Sequence, residues 1–135
     1  MSYALSVTVD RPFDVVVEEV RAALAEQGFG VVSEIDMRKT LRTKIGVEID
    51  AQLILGACAP HFAHRSLQAE PSIGVLLPCN VVVRATDAGT VVETIDPRTM
   101  VELTANPEIA QIAAEVTGKL EAALAAVSAA GRPVG

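Results

Sequence analysis

The chain has 135 residues, half of them apolar, yet only four are aromatic and none is tryptophan; eleven Lys and Arg against seventeen Asp and Glu leave a net charge of −6. That length suits one domain with a core of Val, Ile, Leu and Ala, and the acidic balance argues against non-specific binding to DNA or to anionic membrane. Scarce aromatics also remove the stacking platforms that single-stranded nucleic acid requires.

The first element is a strand, "YALSVTV" (3–9), with Leu5, Val7 and Val9 on one face. "DRPFDVVVEEVRAALAEQG" follows as a helix. Pro12 suits its first turn, Phe13, Val16, Val17, Val20 and Leu24 form its apolar stripe, and Gly28 supplies a left-handed stop. "FGVVSEIDM" reads as a strand in which Phe29, Val31, Ile35 and Met37 share a face. "RKTLRTKIG" is a short helical turn closed by Gly46. Its basic run Arg38, Lys39, Arg42 and Lys44 reads as the solvated face of a helix whose Leu41 and Ile45 are buried, pairing with Glu34 and Asp36, or as a contact for phosphate or an acidic partner.

"VEIDAQLIL" (47–55) is the clearest strand by alternation, with Val47, Ile49, Ala51, Leu53 and Leu55 on one side. A helix from Pro60 to about Ala69 and a second proline-started turn, "PSIGVLL", come next. "CNVVVRAT" and "GTVVETID" are strands joined by the tight turn "DAG". Asn106 and Pro107 then open a long helix with Ile109, Ile112, Val116, Leu120, Leu124 and Val127 on one stripe.

Short connections between these elements predict an α+β domain over residues 1–130, a mostly antiparallel sheet with helices on one face, followed by a frayed tail at 131–135. The polar face of the sheet, with Asp50 and Gln52, is left for a partner sheet, which makes a homodimer the expected assembly. No apolar run approaches the roughly 20 residues that span a bilayer, and "MSYALSVTVDRPF" lacks the charged start and apolar stretch of a signal peptide. A cytoplasmic protein with neither a membrane nor a nucleic-acid partner is therefore expected, one in which Cys58 and Cys79 form no stable disulfide.

Chemistry-bearing residues concentrate in "LGACAPHFAH" (55–64) and "LLPCN" (76–80), which hold both cysteines and both histidines of the chain. Cys58 ends a strand just before a proline-started helix, where unpaired N–H groups and the helix dipole favour an anion. Cys79 opens the strand that follows the inserted helix, so the two sulfurs converge if their strands are neighbours. Asn80 suits a turn held by side-chain bonds, and Gly56 suits either a close backbone approach or the turn from strand to helix. His61 and His64, three apart on one helix, extend Cys58 to a Cys-x2-His-x2-His pattern that Cys79 completes as a donor set for zinc or copper. The spacing is not a standard zinc-finger one, and solvent-facing histidines are the plainer reading. A thiol or redox enzyme using Cys58 would need His61 or His64 as its base, with Glu70 as the one acid placed to orient it.

"GFGVVSEIDMRKTLRTKIG", "ILGAC" with its following proline and alanine, "IGVLLPCNVVVR", and "IDP" after the hairpin together resemble the bacterial and archaeal proteins called domain of unknown function 302, over about residues 8–125. The resemblance implies a small α+β fold of TATA-binding-protein-like topology, commonly dimeric, with both cysteines retained and with no established activity. This chain reads Cys58-Ala59-Pro60 where such relatives read Cys-Asn-Pro. The expected function is a non-enzymatic binding protein whose site is Cys58, Cys79, Asn80 and Gly56, taking a soft metal ion or a small ligand. The alternatives are a structural or regulatory homodimer whose cysteines merely pack, and a thiol enzyme.

Overall fold

The computed structural model of the chain describes residues 3–130, so the expected tail at 131–135 lies outside the described residues. The elements run β1 (Ala4–Val9), α1 (Phe13–Glu26), β2 (Gly30–Asp36), α2 (Met37–Ile45), β3 (Gln52–Cys58), α3 (Pro60–Ala69), a 3-10 turn (Pro71–Leu76), β4 (Cys79–Thr86), β5 (Gly89–Ile95), α4 (Arg98–Thr104) and α5 (Pro107–Ala129). The five strands form one antiparallel sheet in the order β1-β5-β4-β3-β2. This is the expected α+β architecture.

Strand periodicity decides which side of the sheet is covered. In β4, Cys79, Val81 and Val83 are buried while Asn80, Val82 and Arg84 are not. Register carries that alternation across the sheet: Leu53 pairs with Val83, Leu55 with Val81, and Val83 with Val92, all of them buried. Against this face lie α1, through Val16, Val17, Val20 and Leu24, and α5, through Ile109, Ile112, Val116, Leu120, Leu124 and Val127. Both stripes are the expected ones, and α1 and α5 pack on each other. The opposite face carries Ser6, Glu93, Val82, Ile54 and Ile35 in one row, with the Arg84–Glu93 ion pair (2.8 Å) beside it.

Three expectations are corrected. The strand expected at 47–55 is β3, Gln52–Cys58, with no regular structure from Gly46 to Ala51. Pairing explains the shift, since β2 stops at Asp36, opposite Leu53, and β4 runs out into its hairpin at Thr86, so no strand is left to pair with Val47 and Ile49. In β2, a bulge between Val31 and Ser33 breaks the simple alternation. Val31 therefore pairs with buried Ala57, but Ile35 pairs with Ile54 on the opposite face and is 47% exposed. Finally, the basic run on α2 does not pair with Glu34 and Asp36 as expected. Asp36 caps the helix by accepting the Lys39 N–H (2.9 Å), Glu34 pairs with Arg21 of α1 (2.9 Å), and Arg42 forks onto Glu48 (2.6 and 3.0 Å). The basic face is solvated as expected, but Leu41 and Ile45 on the other side are not buried: Leu41 is half-buried and Ile45 is 66% exposed.

A helix that the hairpin reading did not foresee, α4, follows β5. Asp96 nucleates it, accepting the Arg98 backbone N–H (3.0 Å) and the Arg98 guanidinium (2.6–3.1 Å). The hydrogen bonds and charge of Arg98 hold the Asp96 carboxyl below the usual carboxylate range.

Candidate functional site

The two cysteine motifs meet at one end of the sheet. β3 delivers Cys58 to the start of α3, and β4 begins at Cys79 directly after the cis Leu77–Pro78 peptide. Ala57 and Cys79 are cross-strand partners, which puts Cys58 one position out of register with Cys79, so although β3 and β4 are neighbours the expected cysteine pair is not formed. Both cysteines are free, Cys58 half-buried and Cys79 9% exposed. Both line a cleft of about 110 Å³ between the sheet end, α3, α4 and α5.

The walls of this cleft are almost wholly apolar. Phe29 and Val32 come from the β2 side, Phe62 and Ala63 from α3, Pro97 and Met100 from α4, and Val116 from α5. Ser66 supplies the one lining hydroxyl, and it is already engaged, donating to the Phe62 carbonyl oxygen (2.8 Å). No carboxylate, imidazole, ammonium or guanidinium lies among the lining side chains. In this setting burial pushes the Cys79 thiol from 9.0 up to about 11, with the charge of Cys58 adding to the effect.

The roof and floor are tied by polar contacts outside the cleft. Asn106 caps α5 by accepting the Glu108 N–H (3.0 Å), and its amide nitrogen donates to the Ala69 carbonyl (3.0 Å) and to Glu70 (3.3 Å), joining the end of α3 to the start of α5. Arg65 pairs with Glu115 across the same seam (2.9 Å) and lies over the Phe62 ring. On the other side the Asp96–Arg98 bonds hold the first turn of α4, which brings Pro97 and Met100 to the cleft.

Of the six residues singled out in the sequence, only Cys58 and Cys79 line the cleft. The expected four-ligand set is not assembled. Helical phase is the reason: Ala59, Phe62, Ala63 and Ser66 take the inward side of α3, which leaves His61 and His64 exposed. Among the described residues no group of three or more His, Cys, Asp or Glu side chains is placed to hold a metal ion. Asn80 and Gly56 pair with each other on the opposite side of the sheet and do not line the cleft. The lining residues that the motifs did not reveal are Phe29, Phe62, Met100 and Val116. The i, i+1, i+4 spacing of Phe62, Ala63 and Ser66 is the signal that could have marked the inward face of α3.

Gly56 meets the first of its two expected roles, a close approach. A Cβ there would collide with the Ser33 hydroxyl and sit 2.8 Å from Pro78 Cγ. Gly56→Ala should lower stability by about 1–3 kcal/mol, as overpacking does. Gly118, inside α5 with nothing within 4 Å of an added Cβ, should instead gain about 0.5–1 kcal/mol as alanine. Paired urea denaturation curves check both signs, and a gain at Gly56 would refute the close-approach account.

No helix among the described residues is long and apolar enough to cross a membrane. No curated protein sequence matches the chain. Among solved structures, an uncharacterized conserved protein DUF302 from Bacillus stearothermophilus is similar at 26% identity, over 94% of this chain and 99% of that one, with a TM-score of 0.88. The family described as Domain of unknown function DUF302 matches residues 5–127, a span that takes in every strand but the first residue of β1, both cysteine motifs and nearly all of α5. By the extent of that match, and by the fold it shares with a solved relative, the chain belongs to the DUF302 family.

Proposed function

We propose that the protein is a non-enzymatic binding protein that takes a small apolar ligand in the cleft between the end of the sheet and helices α3, α4 and α5. The observation that carries this reading is the lining: aromatic, aliphatic and thioether groups enclose about 110 Å³, with two thiols and one engaged hydroxyl as the only polar side-chain groups. Pockets of this kind, concave and apolar with a few polar groups, are the usual form of small-molecule sites. The volume is of the order of the ~150 Å³ apolar cavity that admits benzene. A soft metal ion is the less favoured occupant, because two thiols without a third donor offer it little and burial keeps Cys79 protonated at neutral pH.

Methyl NMR with benzene as probe tests this. The Met100 and Val116 methyl resonances should shift with a dissociation constant in the millimolar range, about −4 kcal/mol for so few atoms. Ala63→Phe, which fills the cleft from α3, should abolish the shifts. Unmoved methyl signals up to the solubility of benzene would refute the binding reading.

We also infer a homodimer formed through the sheet face opposite the helices. Its support is the apolar row of Ile35, Ile54 and Val82 across β2, β3 and β4, which runs up to the Arg84–Glu93 ion pair. Light scattering at micromolar concentration should give twice the chain mass, and Val82→Glu should halve it. A monomeric wild-type mass would rule the dimer out.

A further inference from the structure

The polar atoms of the cleft narrow the class of ligand, and this step rests on the binding reading above. Three lining side chains carry a proton to share: Cys58, Ser66 and Cys79. Ser66 already donates to the Phe62 carbonyl. Cys79 is 9% exposed and lines the cleft, and its thiol makes no side-chain hydrogen bond among the described residues. Its thiol is an unspent donor held in an apolar wall. Cys58, half-buried where β3 passes into α3, lines the same cleft and is the more exposed of its two cysteines. With no charged side chain in the lining, a charged ligand would be desolvated without compensation.

We propose that the cleft captures small, uncharged, apolar α,β-unsaturated carbonyl compounds, with Cys58 as the point of covalent attachment and the Cys79 S–H as donor to the carbonyl oxygen. Such a molecule matches each part of the lining: an alkyl body for Phe29, Phe62, Met100 and Val116, an acceptor for Cys79, and a soft carbon for Cys58. The addition balances without a co-reactant. A bond forms between Cys58 Sγ and the β-carbon, the carbon–carbon double bond becomes single, and the thiol proton ends on the α-carbon. Nothing is oxidised or reduced. Positioning in the cleft supplies the rate advantage, since no base stands in the lining.

The test uses the full chain with 2-cyclohexenone, a compact apolar enone, and acrylamide, a polar acceptor of similar reaction type. Each rate is read by intact and peptide mass spectrometry and divided by the rate with N-acetylcysteine. The expected result is one adduct per chain at Cys58, with a normalised preference for cyclohexenone of about tenfold. Benzene should slow this reaction in the wild-type protein, and Ala63→Phe should bring the preference to about one. Cys79→Ala should reduce the preference while leaving the adduct at Cys58; an unchanged preference would remove Cys79 from the proposal. If cyclohexenone shifts the Met100 methyl signal but leaves Cys58 unmodified, covalent capture is wrong and the binding reading stands. Equal normalised rates for both reagents, insensitive to benzene, would make Cys58 an ordinary surface thiol and overturn the inference. If there is neither shift nor adduct, both readings fall. The benzene competition needs no substitution, so a poorly folding Ala63→Phe variant does not remove the test.

Discussion

Leu55→Ala should lower the free energy of unfolding by about 2–5 kcal/mol. Leu55 is fully buried, with a relative exposure of 0%, at the middle of β3, opposite Val81 and beneath the α1 and α5 layer. With β4 on one side and β2 on the other, the backbone there is pinned and has little freedom to close the void. The cost is then the lost transfer of the isobutyl group plus an unfilled cavity. In a domain of this size a change in that range lowers the melting temperature by about 10 °C or more. Val75→Ala is the natural control, since Val75 is 87% exposed and its truncation should stay within about 0.5 kcal/mol of wild type. Guanidinium denaturation at pH 7 measures both, and a Leu55→Ala loss below about 1 kcal/mol would show that the sheet collapses around the void.

Alkaline pH should destabilise the wild-type protein by about 2–3 kcal/mol more than it destabilises Cys79→Ala. The folded protein holds the Cys79 thiol at about 11, chiefly by burial, while the unfolded chain releases that proton near 9.0. Between those two values the unfolded state has lost a proton that the native state still binds, so stability falls as pH rises. The contribution is fully present below about pH 9 and is gone above about pH 11. Subtracting the Cys79→Ala curve isolates the share of this one thiol from every other pH effect. Parallel curves for the two proteins across this window would mean that water reaches the thiol. Slow alkylation of Cys79 at pH 8 in the folded state, set against rapid alkylation in urea, reads the same burial by an independent route.

Most of the fold was legible because its helices and inner strands carry undivided periodicity. The Val16–Leu24 stripe of α1, the Ile109–Val127 stripe of α5 and the alternation of β4 each name their buried side without reference to the rest of the chain. Failures came where a partner element decides. Val47 and Ile49 alternate as well as any strand, but no neighbouring strand extends to them. The flip of Ile35 is set by the bulge opposite Gly56 and Ala57, a feature of the pair and not of β2 alone. α4 was readable in principle, because Asp96 before Pro97 is a helix-start signal, but Asp96 reads equally as the last residue of the preceding strand and 98–104 carries no clear stripe. In the site, the two cysteine motifs marked the right end of the sheet. The histidines misled because three-residue spacing tells which helix face they share, not whether that face turns inward. Phe29, Met100 and Val116 reach the cleft from three separate elements, and no local pattern announces such a meeting.

The strand order sets a timetable for folding. β2, β3, β4 and β5 are each beside their neighbour in sequence, so this part of the sheet can zip by short loop closures as the chain emerges. β1 is different: Ala4 pairs with Ile95 and Val9 with Thr90, so the first strand made waits for the last before it has a partner. During synthesis the apolar Leu5, Val7 and Val9 have no strand partner until β5 has left the ribosome, and an unpaired apolar strand of this kind is open to aggregation.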